Sequence, residues 1–255
     1  MPQSGPADRI VRTLKLTLAY DGTKFVGWQR QAEGDSIQAV LEDALARFEG
    51  GPVTIHGAGR TDAGVHALGQ VASARVTLTH DARTLTRALN AQLPADIRVV
   101  SVEDMADDFH ARFSAKSKTY RYQIRNTPTA SPFERFWVWH VPEQLAVDAM
   151  NDAARMLIGT HDFAAFRSVG SEAGGTVRTI FESRWRNASG LLTYEVSGDG
   201  FLRHMVRAIV GTLVDVGRGW RQSTEIERLL AGGSRAEAGA TAPAHGLILV
   251  SVVYD

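Results

Sequence analysis

The chain switches repeatedly between two hydrophobic periods, and this restricts its folds more than any other feature. Leu14-Lys15-Leu16-Thr17-Leu18-Ala19-Tyr20 alternates with period two, the mark of a half-buried strand. Asp21-Gly22 ends it. Ile37, Val40, Leu41, Ala44, Leu45 and Phe48 then recur at helical spacing behind Ser36, a predicted N-cap, and Gly50-Gly51 stops the run. Residues 53–56, 71–76 and 97–102 read as strands and 84–90 as a short helix. In the second half, 118–125 is strand-like and 145–157 carries a helical stripe. Residues 181–186 and 192–196 form a predicted hairpin around Asn187-Ala188-Ser189-Gly190. Residues 205–216 are a strongly apolar helix closed by Gly217, 226–230 a short helix, and 247–253 a buried final strand. Each half runs strands, helix, strands, which predicts an α+β fold rather than strict β-α alternation. A boundary near residues 105–115 divides the chain into halves 10–108 and 109–255, with a cleft between them. Asp21-Gly22 before Phe25 and Asp199-Gly200 before Phe201 form a faint echo between the halves.

Composition excludes several functions. The 255 residues include no cysteine, so disulfides and cysteine zinc sites are ruled out. The His residues form neither a His-x-x-x-His pair nor a His-Glu-x-x-His motif. Residues 1–12 are polar and contain Pro and Gly, unlike a signal peptide, and read as a frayed tail. No apolar run approaches the roughly 20 residues of a membrane span. A cytoplasmic protein without membrane partners is expected. Net charge is zero, which alone argues against nucleic acid. Charge is unevenly spread, however. Residues 109–133 hold Arg112, Lys116, Lys118, Arg121 and Arg125 and no acid, and Arg203, His204, Arg207, Arg218 and Arg221 cluster around the single acid Asp215. Two such clusters in a neutral chain point to an anionic partner.

The stretch "HGAGRTDAGVHALGQ", residues 56–70, begins like a dinucleotide loop, G-x-G-x-x, but places Asp62 where the third glycine belongs. That carboxylate would repel a pyrophosphate, and the following residues are too glycine-rich to open a helix. Asp62 is better read as the point of the loop. Glycines allow tight backbone geometry and close approach of a ligand, and Arg60 is positioned in sequence to pair with the acid. A carboxylate at neutral pH suits a nucleophile or charge partner. The competing reading makes Asp62 a cap for the loop's own amides.

Five segments in order carry a resemblance. "YDGTKFVGWQRQ" (20–31), "GAGRTDAGVHALGQV" (57–71), "DDFHARFSAKSKTYRYQI" (107–124), "GFLRHMVRAIVGTLVDVGRG" (200–219) and "APAHGLILVSVVY" (242–254) together resemble the tRNA pseudouridine synthase A (TruA) family. The resemblance implies two ferredoxin-like halves sharing a mixed, mostly antiparallel sheet with helices packed on it. It implies a cofactor-free homodimeric isomerase that converts uridine to pseudouridine at positions 38, 39 and 40 in the anticodon arm of tRNA. Carried over, Asp62 is the catalytic aspartate. Arg60 supports it and helps displace the base, Tyr120 stacks on the flipped uracil, Arg207 is the basic partner of Asp62, and Leu247 closes the pocket. His245 stands where the family often has a basic residue, which would weaken a phosphate contact at high pH. Arg112, Lys116, Lys118, Arg121 and Arg203 are expected to contact RNA phosphates.

The residues alone allow blander readings. On a strand, one of Tyr120 and Tyr122 is expected to point inward. Arg207 falls at the edge of the apolar stripe of its helix, where an arginine needs a partner, and Asp62 could be that partner. A phenol is a poor base at neutral pH unless its proton is relayed or a cation such as Arg207 favours the phenolate. A non-catalytic RNA-binding protein and a carboxylate-dependent hydrolase remain as alternatives.

Overall fold

The computed structural model describes residues 11–168 and 175–255, so most of the predicted N-terminal tail lies outside the described residues. In chain order the regular elements are β1 (Arg12–Tyr20), α1 (Ile37–Glu49), β2 (Ile55–Gly57), β3 (His66–Val76), α2 (Ala82–Gln92), β4 (Ile97–Met105), β5 (Ser117–Arg125), β6 (Trp139–His140), α3 (Val147–Arg155) and β7 (Gly159–Asp162). Then come β8 (Val177–Ala188), β9 (Leu191–Gly198), α4 (Met205–Gly217), α5 (Glu225–Leu230) and β10 (Leu247–Val253). All strands join one ten-stranded sheet whose main path runs β4-β1-β3-β10-β5-β9-β8-β7, with β2 on β3 and β6 on β5. The pairings are antiparallel except β10 with β3 and β5 with β6. The fold is therefore α+β with a mixed, mostly antiparallel sheet, as expected.

The order contains a repeat. β4-β1-β3-β2 and β10-β5-β9-β8 are the same arrangement of a β-α-β-β-α-β unit, with β7 added at one edge. The Asp-Gly echo does not follow this repeat. It follows β1, the first strand of one unit, and β9, the third strand of the other. The two units meet where β10 pairs with β3 at His66 and Ala67. Farther along the same edge of β3, β2 takes residues 72–74 instead. The sheet thus parts along β3, and the loop between β2 and β3 fills the parting.

Local sequence explains the elements. Ser36 Oγ accepts from the Ala39 amide at 3.2 Å, and Gly50 closes α1 at φ 75°. Leu14, Leu16, Leu18 and Tyr20 bury the inner face of β1 in the main core, together with Leu41 and Leu45 of α1 and Leu85 and Leu89 of α2. β3 begins at His66, five residues before the predicted start at 71, because Gly69 made this stretch look like loop. Gly69 is instead a point of close approach: a Cβ there would lie 2.5 Å from the Val250 carbonyl oxygen. α4 runs through Gly217, and the left-handed residue that follows it is Gly219, at φ 73°. β6 and β7 are too short to show a period.

α4 packs against the 239–242 segment so closely that a Cβ on Gly211 would lie 1.7 Å from the Ala240 carbonyl oxygen. On an exposed helix, Gly→Ala gains up to about 1 kcal/mol. At this contact Gly211→Ala is expected to lose roughly 1–3 kcal/mol from overpacking, read as a lower urea midpoint. A midpoint equal to or above the parent's would show that the 239–242 segment moves aside freely.

Candidate active site

The loop carrying Asp62 is braced from every side. Ala58 N–H donates to Val71 O at 2.7 Å, and Gln70 Nε2 donates to Gly59 O at 2.8 Å. The buried Thr61 hydroxyl meets Tyr20 Oη at 2.8 Å, and its carbonyl accepts from Trp28 N–H at 3.0 Å. Trp28 belongs to the segment after β1, which a polar knot fixes to α1. Gln38 Oε1 accepts from Arg30 N–H at 3.0 Å, while the buried Glu42 carboxylate accepts from Gln38 Nε2 and from Ile55 N–H at 2.9 and 3.1 Å. Ala58, Val71 and Ala111 form a small second core beneath the loop. The first two quoted segments, 20–31 and 57–71, are therefore one structural unit.

Asp62 reaches across to α4. Arg207 Nη1 donates to Asp62 Oδ2 at 2.9 Å, and His204 Nε2 lies 3.4 Å from Oδ1. Arg207 is itself fixed, its Nε donating to Ala242 O at 2.8 Å. Among the described residues no loop amide donates to the Asp62 carboxylate, which removes the basis of the loop-cap reading. Asp62 and Arg207 are 25% and 15% exposed, so the pair is partly desolvated but open to a ligand. The carboxylate also faces the first turn of α4, whose dipole favours an anion. His204 caps α4 in the left-handed region at φ 63°. Burial pushes its imidazole below the ordinary histidine range, against the opposing pull of Asp62. At neutral pH the imidazole beside the carboxylate is therefore mostly uncharged. Sequence grouped His204 with the basic cluster and gave no sign of this contact.

Arg60 does not pair with Asp62 as its proximity in sequence suggested. It is exposed, and its Nε donates to Gln29 Oε1 at 3.1 Å. Two residues apart in this loop, the side chains diverge. Tyr120 and Tyr122 correct a second expectation. Residues i and i+2 share one strand face, so both point inward with Ile124. Tyr120 packs edge-on to Phe201 with centroids 5.0 Å apart. Burial first, then the charges of Tyr20 and Asp62, push its phenol up, while Arg207 acts on Tyr122 instead. Tyr120 is therefore held as a phenol. Leu247 is buried opposite Tyr122, and Leu249 occupies the rung opposite Tyr120. His245 is no phosphate ligand in waiting: its Nε2–H donates to Val138 O at 3.1 Å, and burial lowers its basicity.

Many cations of the two basic clusters are paired with acids, some near in sequence and some distant. Arg121 pairs with Glu195 at 2.9 Å on the sheet face opposite Tyr120, Arg125 with Glu134, and Lys116 with Asp255 at 2.9 Å. Arg218 meets Glu143 at 3.5 Å, and Arg221 meets Asp215 at 3.2 Å. Arg112, Lys118 and Arg203 have no carboxylate within 4 Å among the described residues. Of these, Lys118 shares the inner face of β5 with Tyr120. No helix among the described residues is long and apolar enough to cross a membrane.

The sequence that builds this sheet and the Asp62–Arg207 pair matches a known family. The model of the tRNA pseudouridine synthase family matches residues 17–114 and 153–255. The chain belongs to this family. It is 48% identical to the tRNA pseudouridine synthase A of Syntrophotalea carbinolica over 94% of this chain and 96% of that one. Identity to the enzyme of that name from Exiguobacterium sp. is 46%, over 96% and 99%. For the Myxococcus xanthus enzyme it is 45%, over 94% and 91%. The protein is accordingly an isomerase acting on tRNA. Among solved structures, a chain of a Cbf5-Nop10-Gar1 complex covers 92% of this chain and 48% of its own at TM-score 0.36 and 10% identity, a likeness too slight to bear on fold or function.

His204 separates strain from function. A left-handed non-glycine residue costs on the order of 1–3 kcal/mol, so His204→Gly is expected to unfold at or above the parent's temperature and His204→Ala below it. Both variants should form pseudouridine more slowly, because both lose the contact to Asp62. Parent-like rates in both would exclude the imidazole from the reaction.

Proposed function

We propose that this protein converts uridine to pseudouridine at positions 38, 39 and 40 of the tRNA anticodon arm, with Asp62 as the catalytic group. In this reading residues 10–108 supply the catalytic loop and residues 109–255 supply Tyr120, Arg207 and Leu247. The enzyme works in the cytoplasm as a homodimer and without a cofactor. The observation that carries the reading is the state of Asp62: a carboxylate on a braced loop, bound to Arg207 at 2.9 Å, with no loop amide among the described residues donating to it. A loop cap would spend its oxygens on those amides.

The reaction breaks a C–N glycosidic bond, turns the uracil and makes a C–C bond in its place. Asp62 serves each available route: attack on the uracil ring, attack on C1′, or stabilisation of charge while a glycal forms. Arg207 holds the carboxylate in one orientation, so no reorganisation is needed when charge develops. The target must leave its stack at a cost of a few kcal/mol. Stacking on Tyr120, worth about 1–3 kcal/mol, offsets part of this. Arg60, exposed beside the loop, enters the vacated space by giving up its bond to Gln29. Tyr120 stays protonated at neutral pH, so removal of the C5 proton through it requires its own proton to pass on to a neighbour. Leu247 completes the apolar wall.

Asp62→Asn should abolish pseudouridine formation while tRNA affinity and melting temperature stay near the parent values, because the amide still accepts from Arg207. Appreciable turnover by this variant, measured by chemical labelling of pseudouridine, would remove Asp62 from the chemistry. The same digest distinguishes the alternatives. A hydrolase leaves abasic sites, and a non-catalytic binder leaves the tRNA unmodified.

For Tyr120, ring and hydroxyl can be tested apart. Tyr120→Phe is expected to bind tRNA nearly as well as the parent and to be slow in single turnover. Tyr120→Ala should lose about 1–3 kcal/mol of binding as well. A full single-turnover rate in the Phe variant would limit Tyr120 to stacking.

A further inference from the structure

Among the described residues, Lys118 and Arg112 near the catalytic loop have no carboxylate within 4 Å. Lys118 lies on β5 two residues before Tyr120, on the same face and so about 7 Å along the strand. Its ammonium comes close to the loop itself: a Cβ on Gly59 would lie 3.5 Å from Lys118 Nζ. No acid lies within 4 Å among the described residues. Burial and the positive charges of Arg112 and Arg178 push the ammonium down to about 8. Half-buried like charges are unfavourable together unless an anion joins them.

The same corner carries an aromatic step. His56 precedes the catalytic loop, and its ring meets His110 at a centroid distance of 4.9 Å. His110 meets Phe113 at 4.4 Å, and the guanidinium of Arg112 stands 5.6 Å over the Phe113 ring. Phe113 is 77% exposed, so most of its apolar surface is left uncovered by the described chain. His110 Nδ1 accepts from Arg112 N–H at 3.1 Å, and burial lowers its basicity, aided by His56 and Arg112. At neutral pH it is an uncharged ring that supports Phe113.

An exposed aromatic face adjoining unpaired cations fits a nucleotide. The cations take its phosphate, and the ring takes its base. We propose a second nucleotide subsite beside the target pocket, in which Lys118 and Arg112 hold a backbone phosphate adjoining the flipped uridine and Phe113 stacks on a neighbouring base. This rests on the reading of the chain as an RNA-modifying enzyme. Stacking tolerates any base, so the subsite positions the strand without selecting sequence.

The test uses an anticodon stem-loop RNA with the target uridine and versions carrying an abasic nucleotide immediately 5′ or 3′ of it. Dissociation constants and single-turnover pseudouridine yields are measured for the parent, Phe113→Ala, Lys118→Met and Lys118→Arg. Phe113→Ala should weaken binding between about fivefold and about a hundredfold. One of the abasic RNAs should weaken binding to the parent but not further weaken binding to Phe113→Ala. Equal sensitivity of both proteins to both abasic RNAs overturns the stacking contact. Lys118→Met should reduce the slope of log affinity against log salt by roughly 0.7–0.9, and Lys118→Arg should restore it. An unchanged slope in the Met variant with an unchanged melting temperature overturns the phosphate contact. If the parent converts the stem-loop yet both contacts fail, the subsite alone is wrong. If the parent makes no pseudouridine in stem-loop or full-length tRNA, the functional reading fails with it.

Discussion

The ion pair between Asp62 and Arg207 joins groups 145 residues apart and bridges the two strand units. One partner comes from the loop in the parting of β3, the other from the first turn of α4. The side chains can meet only if β10 sits on β3, because β10 brings the second unit alongside the loop. The ion pair is therefore a reading of the whole sheet order. Each partner has a second anchor that does not depend on the pair: the loop through Thr61, Gly59 and Ala58, and Arg207 through Ala242. Such double fixing keeps a partly exposed pair in one geometry. An isolated surface pair of the same length would be screened and worth little.

A braced loop is costly to assemble, and the chain distributes that cost. The knot of Arg30, Gln38 and Glu42 buries a carboxylate, which is tolerable because its oxygens receive N–H donors from Gln38, Ile55 and Arg30. His204 adopts a left-handed backbone at the point where α4 turns toward Asp62. Strain of this kind persists when surrounding contacts over-determine the conformation. Here Met205 N–H bonds to Leu202 O, and Ala208 N–H bonds to His204 O, on the two sides of the turn.

Periodicity made the strands and helices legible because their faces are buried on one side, and Leu14–Leu16–Leu18 and Ile37–Leu41–Leu45 show this directly. It failed where tertiary contact overrides local pattern. The start of β3 looked like loop because Gly69 answers to the Val250 carbonyl, which lies on another strand. In the site, the edge position of Arg207 on its helix correctly called for a partner. Arg60 lies close to Asp62 in sequence but bonds Gln29 instead, because closeness along a tight loop does not bring side chains together. His204 was not legible as an Asp62 contact, since its left-handed conformation is imposed by packing. The resemblance supplied Tyr120, but only the structure shows that both tyrosines share a face and that burial holds Tyr120 as a phenol.

Charge shows the same limit in another form. A linear reading sees Arg121 in an acid-free stretch, yet Glu195, 74 residues away, neutralises it. Pairing of this kind makes the clusters weaker attractors than their composition implies. It also sharpens what remains. Against a neutral background, the cations unpaired among the described residues near the Asp62 loop stand out, and local potentials rather than net charge direct an anionic ligand. A uniformly basic protein would bind RNA in many orientations with similar strength. A neutral one with unpaired cations near Gly59 favours the few orientations that bring a phosphate to that side of the Asp62 loop. The zero net charge that seemed to speak against nucleic acid is thus compatible with directed binding, because it suppresses the competing modes.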